Sequence, residues 1–184
     1  MLIRWYVNFL YKVIKGEYRS KTYTPPSNPK ELKNFVGKMG YVEDPKRKGF
    51  VKINPAWIKE NLVILNLPVP IPLMDKFWTI QVHKKLALNV RNLFYDYIIN
   101  KYDNLYPIYQ LGGFVPRHKL SNPTKSLSLH AYGMAIDINW KENKLNTRGN
   151  MPVEVVTLFK QYGWQWGGFW RRPKDPMHFQ YYVE

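Results

Sequence analysis

The apolar positions of this chain change period along its length, and the changes mark out its elements. From His83 to Lys101, Leu86, Val90, Leu93, Phe94, Tyr97 and Ile98 recur at helical spacing, which predicts one long amphipathic helix. Two earlier helix starts are signalled by an asparagine cap followed by a first-turn proline, at Asn28-Pro29 and Asn54-Pro55. The first of these should end near Gly37 or Gly40. Leu62-Val63-Ile64-Leu65 reads as a buried run, ended by Pro68, Pro70 and Pro72. Tyr106 to Leu111 predicts a strand that stops at Gly112-Gly113, and Asn150 to Tyr162 predicts a capped helix that stops at Gly163.

Two short segments follow the strand period of two. In Ala135-Ile136-Asp137-Ile138-Asn139, the isoleucines should face the core and Asp137 the opposite side of a sheet. Met177-His178-Phe179-Gln180-Tyr181 repeats the device, with His178 on one face and Met177 and Phe179 on the other. The predicted fold class is therefore α+β: a small, mostly antiparallel sheet that carries polar side chains on one face and helices on the other.

Residues 16–29 carry three prolines and many small polar residues, a linker or extended arm. We divide the chain into an N-terminal arm with short helices over residues 1–49, packed on or linked to the core, and a domain over residues 50–184. The first eighteen residues, with Asn8 and Lys12 interrupting their apolar stretch, predict a short amphipathic helix rather than a membrane span. They lack the clean apolar centre and small-residue cleavage site of a signal peptide.

Composition narrows the chemistry. With no cysteine, disulfides, thiolate metal sites and thiol nucleophiles are excluded together, so a metal would sit on nitrogen and oxygen ligands. Lys+Arg 28 against Asp+Glu 13 gives a net charge of +15, which favours polyanionic partners such as nucleic acid, anionic lipid or an acidic bacterial wall. No zinc-finger, RRM-type or basic-zipper pattern accompanies that charge, so no specific nucleic-acid partner is expected.

The chemistry concentrates in Ser128-Leu129-His130-Ala131-Tyr132-Gly133-Met134-Ala135-Ile136-Asp137. A catalytic zinc commonly takes three imidazole or carboxylate ligands and keeps one position open. His130 and Asp137 supply one of each, and Gly133 between them allows the sharp turn that lets them converge. Asp175-Pro176-Met177-His178 supplies a third ligand, His178, and a carboxylate three residues earlier that can act as general base. Two of the four histidines fall in this set. Of the others, His83 reads as a surface or capping residue, and His118 follows Arg117 in a loop where it could line a cleft. Trp164, Trp166 and Trp170 either wall a groove or pack in the core, and Gln180 shares a face with His178 as a supporting partner.

The pattern S-x-H-x-x-G-x-A-x-D, followed by G-W-x-W-G-G-x-W and D-P-M-H-F, resembles the zinc D-Ala-D-Ala carboxypeptidase and L-Ala-D-Glu endopeptidase family of cell-wall hydrolases, which includes bacteriophage endolysins. The resemblance covers about residues 50–182 and looks closest to the L-Ala-D-Glu endopeptidase branch. It implies one zinc ion per chain on His130, Asp137 and His178, with Asp175 as catalytic acid or base. It also implies that Arg117 polarises the scissile carbonyl and that Ser128 lies near the substrate. The implied fold is the one these peptidases share with the hedgehog signalling domain. The expected activity is hydrolysis of peptidoglycan peptide stems. A D-Ala-D-Ala carboxypeptidase with the same metal chemistry and a non-catalytic wall-binding or virion protein are the alternatives. The expected partners are peptidoglycan and, by charge, anionic wall polymers, with the protein a monomer acting at the cell wall. The missing export signal suits a phage lysin, and a bacterial enzyme with an unusual leader is the other source.

Overall fold

The computed structural model describes residues 23–183; the helix expected over the first eighteen residues lies outside them. The elements in order are α1 (Pro29–Val36), β1 (Tyr41–Glu43), β2 (Val51–Ile53), α2 (Pro55–Asn61), β3 (Leu62–Pro70), β4 (Phe77–His83), α3 (Ala87–Ile99), α4 (Tyr102–Leu105), β5 (Leu111–Gly112), β6 (Ala135–Ile138), α5 (Val153–Gln161), β7 (Gln165–Trp166) and β8 (His178–Gln180). Short 3₁₀ turns at Lys84–Leu86, Lys119–Ser121, Leu129–Tyr132 and Gly167–Phe169 join them.

Both asparagine caps form. The Asn28 side chain accepts the Glu31 amide and that of Asn54 accepts the Ala56 amide, each ahead of a first-turn proline, and α1 ends at Gly37. The strands pair antiparallel throughout, as the hairpins β1–β2 and β3–β4 and a four-stranded sheet in the order β5-β6-β8-β7. This is a mixed α and β architecture of the predicted class, with the sheet divided into three parts.

Residues before position 50 are tied to those after it. Strand β1 pairs with β2, Phe35 and Val36 are buried in the core, and the Trp57 indole donates to the Val36 carbonyl at 3.0 Å. Val183 donates its amide to the Pro26 carbonyl, so the described end of the chain is held against the described start.

One core face of the four-stranded sheet positions everything else. Ile136 and Ile138 of β6 and Phe179 of β8 are fully buried, and the Phe179 ring stacks on Phe159 of α5 at 4.0 Å. Phe159 meets Phe94 of α3 edge to face at 6.0 Å, which carries the core from the sheet through both helices. Because strand side chains alternate, burying these three forces their neighbours Asp137 and His178 onto the other face. The register sets Asp137 directly opposite His178.

The structure corrects four local expectations. Strand β3 runs through Pro68 to Pro70, with Leu65, Leu67 and Val69 buried and Ile64 exposed, so its start is an alternating strand and not a buried run. Among the described residues its one strand partner is β4, and the register breaks between Asn66 and Pro70, where a missing amide costs no ladder bond. Helix α3 begins at Ala87 because His83 is the last residue of β4, paired with Leu62. The strand expected over 106–111 shrinks to Leu111–Gly112, since the Asn139 side chain takes the amides of Tyr109 and Gln110. Helix α5 starts at Val153 because Asn150 is engaged elsewhere, its amide donating to the Asn143 side chain and its own side chain accepting the Tyr106 hydroxyl.

His83 does cap the turn after it, accepting the Lys85 amide at 3.3 Å, but it is fully buried rather than on the surface. Burial, reinforced by the charges of Lys85 and Lys84, pushes its imidazolium pKa down to about 4. A folded-state value below the unfolded one means that the unfolded chain takes up the proton first as pH falls. Stability from this residue is thus complete above about pH 6.5 and is lost on acidification towards pH 4, by about 3 kcal/mol in all. Denaturant titrations of wild type and His83→Gln across this window should show the variant lacking that slope. Parallel curves would remove His83 as its source.

Candidate metal centre

The turn Leu129–Tyr132 is built to present His130. Its first residue is capped by Ser128, whose hydroxyl accepts the His130 amide at 3.4 Å, and it ends at Gly133 with φ 66°. Glycine is required there on two counts. The left-handed conformation is strained for other residues, and a Cβ would stand 2.6 Å from the His83 nitrogen and 2.9 Å from the Val82 carbonyl carbon of β4. The chain therefore turns against β4 and enters β6, which carries Asp137 two residues after Ala135.

Three acceptor groups meet at one point. His130 Nε2 lies 3.1 Å from Asp137 Oδ2 and 3.2 Å from His178 Nδ1, and His178 Nδ1 lies 2.9 Å from Asp137 Oδ1. Hydrogen bonds on the far side of each ring set which nitrogen carries the lone pair. His130 Nδ1 faces the Gly113 carbonyl at 2.6 Å, and a carbonyl only accepts, so that nitrogen holds the proton. His178 Nε2 faces the Gln180 side-chain oxygen at 3.3 Å, while the Gln180 nitrogen donates to the Tyr182 carbonyl. In the neutral rings, His130 Nε2 and His178 Nδ1 are then both bare acceptors, set beside a carboxylate. Such a set repels itself unless a cation sits within it.

The spacing fits a metal. Donor atoms at about 2.0–2.1 Å from a tetrahedral zinc lie about 3.3 Å apart, close to the three separations here. The far-side contacts of Gly113 and Gln180 are the kind that orient ligand imidazoles. Electrostatics agree: burial by itself would raise Asp137, yet the imidazoles of His130 and His178 hold it well below the usual carboxylate range. Burial pushes the His178 imidazolium pKa down, and the hydrogen bond and charge of Asp137 more than offset it, so the net shift is upward. A divalent cation bound here would take the place of the proton between Asp137 and His178.

Asp175 stands next to this set without being spent on structure. Its backbone is fixed, with its amide on the Gly167 carbonyl at 3.0 Å and its carbonyl taking the His178 amide at 3.1 Å. Its carboxylate Oδ1 is buried with no hydrogen-bond partner. Burial raises its pKa, the charge of Asp137 raises it further, and the charges of His178, His130 and Arg117 pull the other way. A half-buried carboxylate with one buried, unpartnered oxygen and a raised pKa is the environment of a proton-transfer group.

The other candidates divide between site and scaffold. Arg117 acts on Asp175 through its charge and donates Nη1 to the His118 carbonyl, and its own carbonyl accepts the Ser128 amide, so the two residues are joined. His118 does not line the centre; it is buried between the Glu43 carboxylate at 2.9 Å and the Lys125 carbonyl at 2.6 Å. Trp164 is core, its indole bonded to Asn89. Trp166 donates to the Pro176 carbonyl and so steadies the segment between Asp175 and His178. Trp170 lies with its ring 5.4 Å from that of His178, at the centre itself. The Gly113 carbonyl was not foreseeable as a partner, since a backbone oxygen leaves no trace in residue type.

Residues 121–181, about a third of the chain, match the family model described as D-alanyl-D-alanine carboxypeptidase. No curated protein and no solved structure matches the chain. The matched stretch contains His130, Asp137, Asp175 and His178 together, and so supports the zinc peptidase family for this protein.

Proposed function

We propose that this chain is a zinc metallopeptidase that hydrolyses the peptide stems of bacterial peptidoglycan, and that the bond it cuts joins L-alanine to D-glutamate. The observation that carries the reading is the meeting of the His130, Asp137 and His178 acceptor atoms within 2.9–3.2 Å, with Asp175, whose Oδ1 is buried and unpartnered, within reach of their charges. His130 Nε2, Asp137 and His178 Nδ1 would hold one zinc ion. When bound, zinc supplies Lewis acidity, which polarises a carbonyl and acidifies water.

Asp175 takes the proton of the attacking water and later returns it to the leaving amine, a role suited to a carboxylate whose pKa is raised by burial. Arg117 faces the oxyanion that develops on the scissile carbonyl, a contribution of about 3–4 kcal/mol by the measure of other oxyanion donors. Ser128 lines the substrate path while its hydroxyl caps the turn that carries His130. In this reading the antiparallel sheet with helices on its far face is the fold shared with the hedgehog signalling domain. The protein works at the cell wall as a monomer, and no helix among the described residues is long and apolar enough to cross a membrane.

The description of the matching family favours a second reading, removal of the terminal D-alanine. A wall-binding protein without turnover fits less well, because nothing in such a protein calls for a buried carboxylate oxygen with no partner. Zymography on purified cell walls should show clearing that a chelator abolishes and added zinc restores. Mass spectrometry of products from defined muropeptides should show a new D-glutamate amino terminus. Released free D-alanine would replace the endopeptidase with the carboxypeptidase, and no product from zinc-loaded protein would leave only the binding role.

A further inference from the structure

A second cluster of charge lies on the loop that carries Asp175. Arg171, Arg172 and Lys174 from this loop, with Asn146 and Arg148 from the loop ahead of α5, wall a pocket of about 840 Å³. The two loops are clasped: the Asn146 amide donates to the Lys174 carbonyl at 2.7 Å, and Gly149 approaches Pro176 so closely that a Cβ would lie 2.6 Å from it. All four cationic residues are exposed, and among the described residues none forms an ion pair with a carboxylate. Like charges held together with no carboxylate among the residues that line the pocket focus a positive potential into the space between them. Guanidinium groups in particular match the planar geometry of a carboxylate.

The position of the pocket says what the charge is for. The loop leaves the candidate centre at Trp170, whose ring lies 5.4 Å from that of His178, and returns to it at Asp175. Three cations on a loop anchored at both ends to the centre, with Arg148 on the loop clasped to it, will act on whatever is bound there.

We propose that this pocket is a subsite for a carboxylate of the substrate close to the scissile bond, so that the protein selects acidic peptides. The proposal rests on the peptidase reading of the adjoining centre. Peptidoglycan stems carry such a group on the α-carbon of D-glutamate, which is linked through its side chain, and it can be present as the free acid or as the amide.

The test uses two fluorescently labelled tripeptides, L-Ala-γ-D-Glu-L-Lys with the α-carboxylate free and the same peptide with an α-carboxamide. Binding is read by anisotropy on zinc-loaded Asp175→Ala protein, so that turnover does not intervene. The acid should bind about tenfold or more tightly than the amide, the size of one charge-assisted hydrogen bond. Adding Arg148→Gln, Arg171→Gln and Arg172→Gln should abolish that preference with zinc content unchanged, whereas Arg171→Lys with Arg172→Lys should keep most of it. Equal binding of acid and amide, or a preference that survives the three glutamines, overturns the proposal. Binding of poly(glycerol phosphate) that the three glutamines abolish, without any acid-over-amide preference, overturns it in favour of a polymer tether. Hydrolysis does not enter this readout, so a protein that binds the acid selectively but cleaves nothing would sink the peptidase reading and leave the subsite standing.

Discussion

His130→Ala is expected to give a folded protein that retains no zinc and hydrolyses no peptide. The substitution removes one of three donors and leaves Asp137 and His178 already paired at 2.9 Å, an arrangement that closes on itself. Losing only an outer partner of a ligand costs about 10–100-fold in metal affinity, and losing a donor atom costs more. The fold itself should survive with a loss of about 1–3 kcal/mol, since what is broken inside is the contact of Nδ1 with the Gly113 carbonyl. Elemental analysis beside turnover checks this, with wild type holding one zinc per chain. A thermal melt adds a second readout: excess zinc should raise the transition of wild type and leave that of the variant where it was. Zinc retained at full stoichiometry in the variant would take His130 out of the centre.

The parts of this protein that could be read from its sequence are those specified by neighbours along the chain. Asn28-Pro29 and Asn54-Pro55 start helices because cap and proline act within one turn. The two strands that carry Asp137 and His178 were legible because a period of two, with Ile136, Ile138 and Phe179 fully buried, leaves those two residues no face but the other. What was illegible depends on distant partners. His83 follows the helical spacing of Leu86 and Val90, yet pairing with Leu62 draws it into β4. Asn150 has the residue type of a cap, but Asn143 and Tyr106 claim it. His118 looked free to line a cleft until Glu43, far off in the sequence, proved to hold it. At the centre, residue type and spacing pointed to the acceptor set and to Gln180 beside His178, whereas the Gly113 carbonyl that orients His130 is a backbone atom.

Asp175→Ala separates binding of metal from chemistry, and it is expected to leave zinc content intact while lowering the hydrolytic rate by about 10²–10⁴, the usual worth of a positioned proton-transfer group. Its effect on stability should run opposite to that on activity. The Asp175 Oδ1 is buried and accepts no hydrogen bond, so the folded state carries a desolvation cost that alanine removes. The variant should therefore be as stable as wild type or more so, the signature of a residue kept for function at the expense of the fold. Denaturant midpoints, zinc content and turnover measured on one preparation decide it. An Asp175→Ala protein that holds zinc and cleaves at the wild-type rate would remove this carboxylate from the mechanism. One that unfolds more readily than wild type would recast it as a structural residue, leaving the proton transfer to be found elsewhere around the His130, Asp137 and His178 cluster.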